Sequence, residues 1–335
     1  MKKKLFAFLS AAFVLSCGCF FAAENPQTAQ YQAYRTENEN APVVYFIREV
    51  SPEALVKVYD AMGWTPEGKV GVKISTGEPP ASNYLRPELI GDLVQKVDGV
   101  IVESNTSYGG RRASNALHHQ VVKDHGFLDI AEFDLLDEEG TMDIPVGPAA
   151  VRLERNIVGS HFDDYDSYLV LSHFKGHAMA GFGGAIKNLS IGFGSGQSAP
   201  ESGKVYIHTG GERTRGNIYG EQIPFLEAMA EAAQAVCNYM DGGKNTAFVN
   251  VLNRLSVDCD CNGNPAEPDM HDIGVLASTD PLAIDQAAID LVFTAPDSAS
   301  LVERIDSRQG RHVLEHAQAI GLGAGTRSYR LVEIE

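Results

Sequence analysis

Short β-branched or apolar runs alternate along this chain with segments of helical periodicity, and that alternation restricts the fold more than any other feature. The runs begin at Val43 (VVYFIR), Lys69 (KVGVKIS), Gly99 (GVIVESN), Tyr168 (YLVLSHF), Lys204 (KVYIHT), Ala247 (AFVNVLN), Ile273 (IGVLAS) and Tyr329 (YRLVEI). Several are apolar on both faces, as strands covered by helices must be. Helical patterns begin at Pro52, Arg86, Glu221, Pro281 and Ala299. The order predicts an α/β fold, a mostly parallel sheet with helices on both faces. With no internal repeat and no linker composition, residues 43–335 read as a single α/β domain. Weaker periodicity over 107–167 suggests a subdomain or a long crossover there. In such sheets ligands sit beyond the carboxyl ends of strands, so the residues just after the strands carry the chemical interest.

The first 23 residues read as an address. Lys2, Lys3 and Lys4 precede an uncharged run from Leu5 to Ala23, the pattern of an export signal. Val14, Leu15 and Ser16 before Cys17 have the form of a lipobox, and the 19-residue run is also just long enough for an uncleaved anchor. Polar, aperiodic residues 24–42 then read as a flexible tether. The expectation is an exported protein, periplasmic or a membrane-anchored lipoprotein, that meets the membrane only through its N-terminal signal or lipid anchor. Lys plus Arg number 27 against 44 Asp plus Glu, a net charge of −17. Such a field repels phosphate backbones and anionic headgroups, which excludes nucleic acid as a partner.

After the fourth run comes SHFKGHAMAGFGGAIKN, residues 172–188. His173 closes the strand, Lys175 and His177 follow across Gly176, and Gly181, Gly183 and Gly184 read as opening a helix containing Lys187 and Asn188. Bare amides at a glycine-rich helix start suit a phosphate or carboxylate, and Lys187 would add positive charge. The Gly-Lys-Ser/Thr ending of a P-loop is missing. Close helix-sheet packing would explain the glycines equally, but two His, two Lys and an Asn beside them favour a site. Lys204 and His208, flanking the expected strand KVYIH, face the same cleft in this reading.

A second cluster, VDCDCNGNPAEPDMHD from Val257, holds Cys259, Asp260 and Cys261. Cys-X-Cys puts two thiolates on one side of an extended chain, and with His ligands these suit zinc or iron. A disulfide between them would close a small ring, so the expectation is two unpaired thiols. An Asx-rich turn with inert cysteines is the competing account. His312 and His316 read as a solvated helix face, and Asp280 as an N-cap. Asp285 or Asp290 has room to reach inward, while Glu78, Arg111 and Arg112 are more simply surface residues than ligand contacts.

The segments VKISTGEPP, SNTSYGGRR, SHFKGHAMAGFGGAIKNLSIG, GKVYIHTGG, DCDC, DIGVLASTDPLAIDQAAIDLV and HAQAIGLG together resemble bacterial proteins of the family called domain of unknown function 362. The resemblance covers roughly residues 43–334. It implies redox chemistry by analogy, since many members carry a ferredoxin-like segment with Cys ligands. This chain lacks such a segment, and its three cysteines beyond the N-terminal region cannot hold a four-cysteine cluster, so no iron–sulfur cluster is expected.

These readings converge on an exported, metal-dependent enzyme acting on a small anionic molecule, an oxidoreductase if the family analogy holds. The alternative is a membrane-tethered protein that binds a small ligand or metal without catalysis. Candidate catalytic groups are Lys175, Lys187 and His208. Candidate anion-binding residues are Gly181, Gly183, Gly184, Asn188 and Lys204. Candidate ligands for a transition metal, zinc or iron, are His173, His177, Cys259 and Cys261, and a flavin phosphate at the glycine-rich turn is the cofactor alternative.

Overall fold

The computed structural model describes residues 31–197, 201–212 and 220–335. The signal-like segment and the lipobox lie outside the described residues. Strands are β1 (Val43–Ile47), β2 (Val70–Lys73), β3 (Gly99–Glu103), β4 (Phe133–Leu135), β5 (Thr141–Ile144), β6 (Asn156–Gly159), β7 (Ser167–His173), β8 (Lys175–His177), β9 (Gly181–Gly183), β10 (Thr246–Leu252), β11 (Gly274–Ser278) and β12 (Arg330–Glu333). Helices are α1 (Pro52–Met62), α2 (Pro87–Lys96), α3 (Asn115–Asp124), α4 (Ala185–Lys187), α5 (Gly203–His208), α6 (Gln222–Tyr239), α7 (Pro281–Thr294), α8 (Ala299–Ser307) and α9 (His312–Ile320).

Eight strands form one sheet in the order β12-β1-β11-β10-β7-β2-β3-β4. It is mostly parallel: only β11 runs against its neighbours β1 and β10. The central strands are buried along their whole length, and their side chains alternate between two cores. Leu169, Leu171, Val249 and Val251 pack beneath α1 and α2, with Leu55, Val58, Ile90 and Leu93. Tyr168, Val170, Phe248 and Leu252 face the other way, toward α6, α7 and α9. This is the expected α/β fold with helices on both faces.

Capping residues explain where the helices start. Ser51 accepts from Ala54 N at 3.1 Å to begin α1, and Asp280 accepts from Leu282 and Ala283 N, each at 2.9 Å, to begin α7. The weakly periodic stretch 107–167 holds α3, the edge strand β4 and the antiparallel pair β5–β6. Among the described residues no helix is long and apolar enough to cross a membrane.

Two expectations are corrected here. KVYIHT is helix, not strand: Ser202 Oγ accepts from Val205 N at 3.3 Å, and Tyr206 and Ile207 enter the core while Lys204 and His208 stack one turn apart. Six residues are too few for periodicity to separate the two. The tether is also shorter than 24–42, because Tyr31 OH donates to Asp290 at 2.7 Å, Thr36 N bonds Tyr329 O at 2.9 Å, and the Tyr31 ring packs at a tilt against Phe293. Residues 31–42 therefore pack on the domain.

Candidate functional site: a cationic cavity at the strand ends

The carboxyl ends of β2, β3, β7 and β10 open onto one cavity of about 360 Å³. Lys73 ends β2, Glu103 ends β3 and His173 ends β7; the Cys259–Cys261 loop follows β10. Five cations line it, Lys73, Lys175, Lys187, Lys204 and Arg112, against two carboxylates, Glu103 and Asp260. An acidic chain has thus enclosed a surplus of positive charge.

Most of these cations are occupied by the fold. Lys204 Nζ donates to the carbonyls of Ile191, Gly192 and Gly194 at 2.7, 3.3 and 2.7 Å. Lys175 Nζ lies 2.8 Å from Asp260 Oδ2 and 2.8 Å from His173 O. Arg112 contacts Glu103 at 2.8 Å, Glu78 at 3.4 Å and Tyr108 OH at 2.9 Å. Lys73 Nζ donates to Ile74 O at 2.6 Å beneath the Phe193 ring. Lys187 differs: its amine has no hydrogen-bond or ion-pair partner among the described residues, and it keeps surface open to the cavity. Burial, reinforced by the charge of Lys175, lowers its pKa to about 7 against the pull of Asp260. Burial does the same to Lys73, to about 7, and to Lys204, to about 8.

The three cavity histidines are fixed by their partners. His173 Nδ1 faces Asp260 at 2.9 Å and its Nε2 faces Asn253 O at 2.7 Å. Both nitrogens are spent on partners within the fold, so neither is turned to a metal. The expectation that His173 ligates a metal is therefore wrong. His177 Nδ1 accepts from the amides of Met179 and Ala180 at 3.2 and 2.9 Å, which leaves the ring proton on Nε2. Burial, then the charge of Lys187, push its pKa well below the usual range, so it is neutral. His208 is the reverse case. Its Nδ1 donates to Lys204 O at 2.7 Å, its ring stacks on Phe225 at 4.9 Å, and burial lowers its pKa to about 4.

The glycine-rich turn is not the open anion site expected from Gly181, Gly183 and Gly184. Gly181 and Gly183 belong to β9, which pairs with β8 as Lys175↔Gly183 and His177↔Gly181. The helix after Gly184 has three residues, and its amides are taken: Ala185 N and Ile186 N donate to Asp285 at 2.7 and 2.9 Å. A side chain at Gly184 would strike that carboxylate. Asn250 adds a third donor at 2.8 Å, while burial lifts Asp285 to a pKa of about 6. Asn188 is likewise structural, its Nδ2 donating to Lys73 O, Leu171 O and Ser172 Oγ.

Cys259 and Cys261 do reach the cavity, but joined to each other as a disulfide. The expectation of two free thiols is overturned because the loop turns instead of extending. Asp260 is drawn inward to His173 and Lys175, and Asn262 N bonds back to Cys259 O at 2.9 Å. Burial works against ionisation of Asp260, yet Lys175 and His173 outweigh it and hold the carboxyl well below its ordinary range. Gly176 lets β8 lie against this loop, since a Cβ there would strike the Val257 backbone. The donor atoms of His177, Cys259 and Cys261 consequently lie within 4.8 Å of one another, a group that could hold a metal ion.

Sequence reasoning passed over Lys73, Glu103, Tyr108 and His118, and set Arg112 on the surface. His118 lies behind the wall and meets Glu103 at 3.0 Å. The available signal was a lone charge ending an apolar strand, as in VGVK and GVIVE. His312 and His316, read as solvated, instead meet Glu227 and Glu231 at 3.2 and 3.1 Å.

A family model described as Domain of unknown function (DUF362) matches residues 70–290. No curated protein matches the chain. Among solved structures, the lactate racemase apoprotein from Thermoanaerobacterium thermosaccharolyticum is similar at 15% identity and a TM-score of 0.38, over 62% of this chain and 50% of that one. A protein from Thermotoga maritima is similar at 13% identity and a TM-score of 0.40, over 74% of this chain and 58% of that one. The chain thus spans little more than half the length of these neighbours.

Proposed function

The chain belongs to the family Domain of unknown function (DUF362), whose description carries no chemistry, and from the cavity itself we propose that it is an exported enzyme acting on a small anionic molecule. One observation carries the reading: Lys187, a half-buried ammonium in the cavity wall with no partner among the described residues, in a wall where cations outnumber carboxylates. A buried charge without a counter-ion is costly, and a bound carboxylate or phosphate would supply one. The volume of about 360 Å³ suits a metabolite-sized ligand. Export rests on the N-terminal pattern, and the disulfide in the wall supports redox as the reaction class. The amides that a flavin phosphate would need at the glycine-rich turn are already taken by Asp285.

Calorimetric titration with small carboxylates and phosphates tests this. Lys187→Met should weaken binding at least tenfold with the circular dichroism spectrum unchanged, and equal affinity in the variant would overturn the reading. If the best ligand is returned unaltered after long incubation with the protein and thiol or quinone redox partners, followed by NMR, the non-catalytic binding protein replaces the enzyme.

The metal-dependent form of the proposal attaches to His177, Cys259 and Cys261. In the disulfide form these residues do not fit a metal, because the sulfurs are bonded to each other and the His177 Nδ1 lone pair is taken by two amides. Reduction would release two thiolates, and zinc or iron held by them would polarise an oxygen of the anion. Zinc uptake measured before and after reduction decides it: no stoichiometric uptake by the reduced protein, or full uptake by reduced Cys261→Ser, removes this form.

A further inference from the structure

His177 and His208 line the same cavity and carry their ring protons on opposite nitrogens. In His177 the backbone donates to Nδ1, so Nε2 bears the hydrogen. In His208 a backbone carbonyl accepts from Nδ1, so Nε2 bears the lone pair. Neither Nε2 has a hydrogen-bond partner among the described residues. Neither tautomer can swap without facing a backbone donor with a donor, or a backbone acceptor with an acceptor, so each is locked by the fold. Both rings are held neutral by burial, and the charge of Lys187 bears on each.

Donors dominate the rest of the lining. The cavity's carboxylates are engaged, Glu103 with Arg112, His118 and Thr76, and Asp260 with His173 and Lys175. The neutral Nε2 of His208 is therefore an open acceptor among cations and N–H groups, a feature that a plain anion would leave unused. Lys73, Lys187 and Lys204 have no ion-pair partner among the described residues, so more than one positive charge is left to answer, which favours two negative charges over one.

We propose that His208 is the specificity-determining acceptor of this site and that the ligand is a small dianion bearing a hydroxyl, its charge on Lys187, its hydroxyl donated to His208 Nε2 and an oxygen accepting from His177 Nε2–H. The inference rests on the anion reading above. A site built to accept a hydroxyl proton rejects the analogue that lacks it, because the buried acceptor is left unpaired.

The test compares matched dianions, malate against succinate and glycerol 3-phosphate against n-propyl phosphate, by calorimetry on the wild-type protein, His208→Phe and Lys187→Met. Phenylalanine keeps the stacking on Phe225 and removes the acceptor. In at least one pair, the wild type should prefer the hydroxylated member by tenfold or more. His208→Phe should bring that ratio close to one, and Lys187→Met should weaken both members. Equal binding within each pair, or a preference that survives His208→Phe, overturns the acceptor role while the anion reading stands. If none of the four compounds binds at millimolar concentration to any form, the dianion assignment fails, and the carboxylate and phosphate panel against Lys187→Met decides the anion reading separately.

Discussion

Two stretches of the same cavity wall handle buried charge in opposite ways. Around Arg112 every charge is answered: Glu103 and Glu78 take the guanidinium, and Glu103 also accepts from Thr76 N at 3.0 Å and from His118. Burial opposes ionisation of Glu103, but Arg112 and His118 hold its carboxyl well below the ordinary range. Around Lys187 no described residue answers with a hydrogen bond or ion pair, and the amine responds by losing proton affinity. The difference teaches that a cation beside a cavity is no sign of a ligand by itself. Closed networks hold the wall together; open valences are what a ligand can use.

The largest effect should come from breaking the closed network. Arg112→Met strands Glu103 and Glu78 in the interior and should cost about 3–5 kcal/mol of unfolding free energy by urea titration. Lys187→Met should cost nothing measurable there, since it removes a half-buried charge with no counter-ion among the described residues. Equal losses in the two variants would erase the distinction. Lys204→Met comes next, at about 2 kcal/mol, because two buried carbonyls and one half-buried one lose their shared donor. Its anion affinity should fall far less than that of Lys187→Met, and the reverse order in a titration would move the binding role to Lys204.

A smaller effect sharpens the open side. Anion binding needs protonated ammonium groups, and Lys187 and Lys73 lose their protons near pH 7. Affinity should be full at pH 6 and fall as pH rises through 7, by about tenfold at pH 8 for each lysine involved. Calorimetry across that range checks it, and a flat profile would show that neither amine meets the ligand. The smallest change concerns His208, whose folded pKa of about 4 lies below the ordinary value. Between pH 6.5 and 4 the unfolded chain takes a proton that the folded chain refuses, so stability falls as pH falls. His208→Phe should flatten part of that decline in thermal melts, and an identical decline would mean that the ring is already protonated in the fold.

Residues 24–42 and the KVYIHT segment show where local pattern misleads, because a short or polar stretch has too few positions for its period to speak. Asp285 shows the opposite case, a carboxylate whose inward reach had been allowed for but whose partners, 99 and 100 residues away, had not.

By itself the sequence determined the layered α/β sheet, since period-2 and period-3.6 apolar patterns are local and burial acts on each run separately. It also brought His173, Lys175, His177, Lys187, His208 and the cysteine loop into view as a group after strand ends. Only the tertiary structure decided which of them remain open. His173 meets Asp260 across 87 residues, His208 is turned by a helix where a strand was expected, and Asp260 folds its neighbouring cysteines into a disulfide. Proton positions and charge pairing depend on which distant group arrives within hydrogen-bond reach, and that is set by packing between segments, which no local spacing encodes.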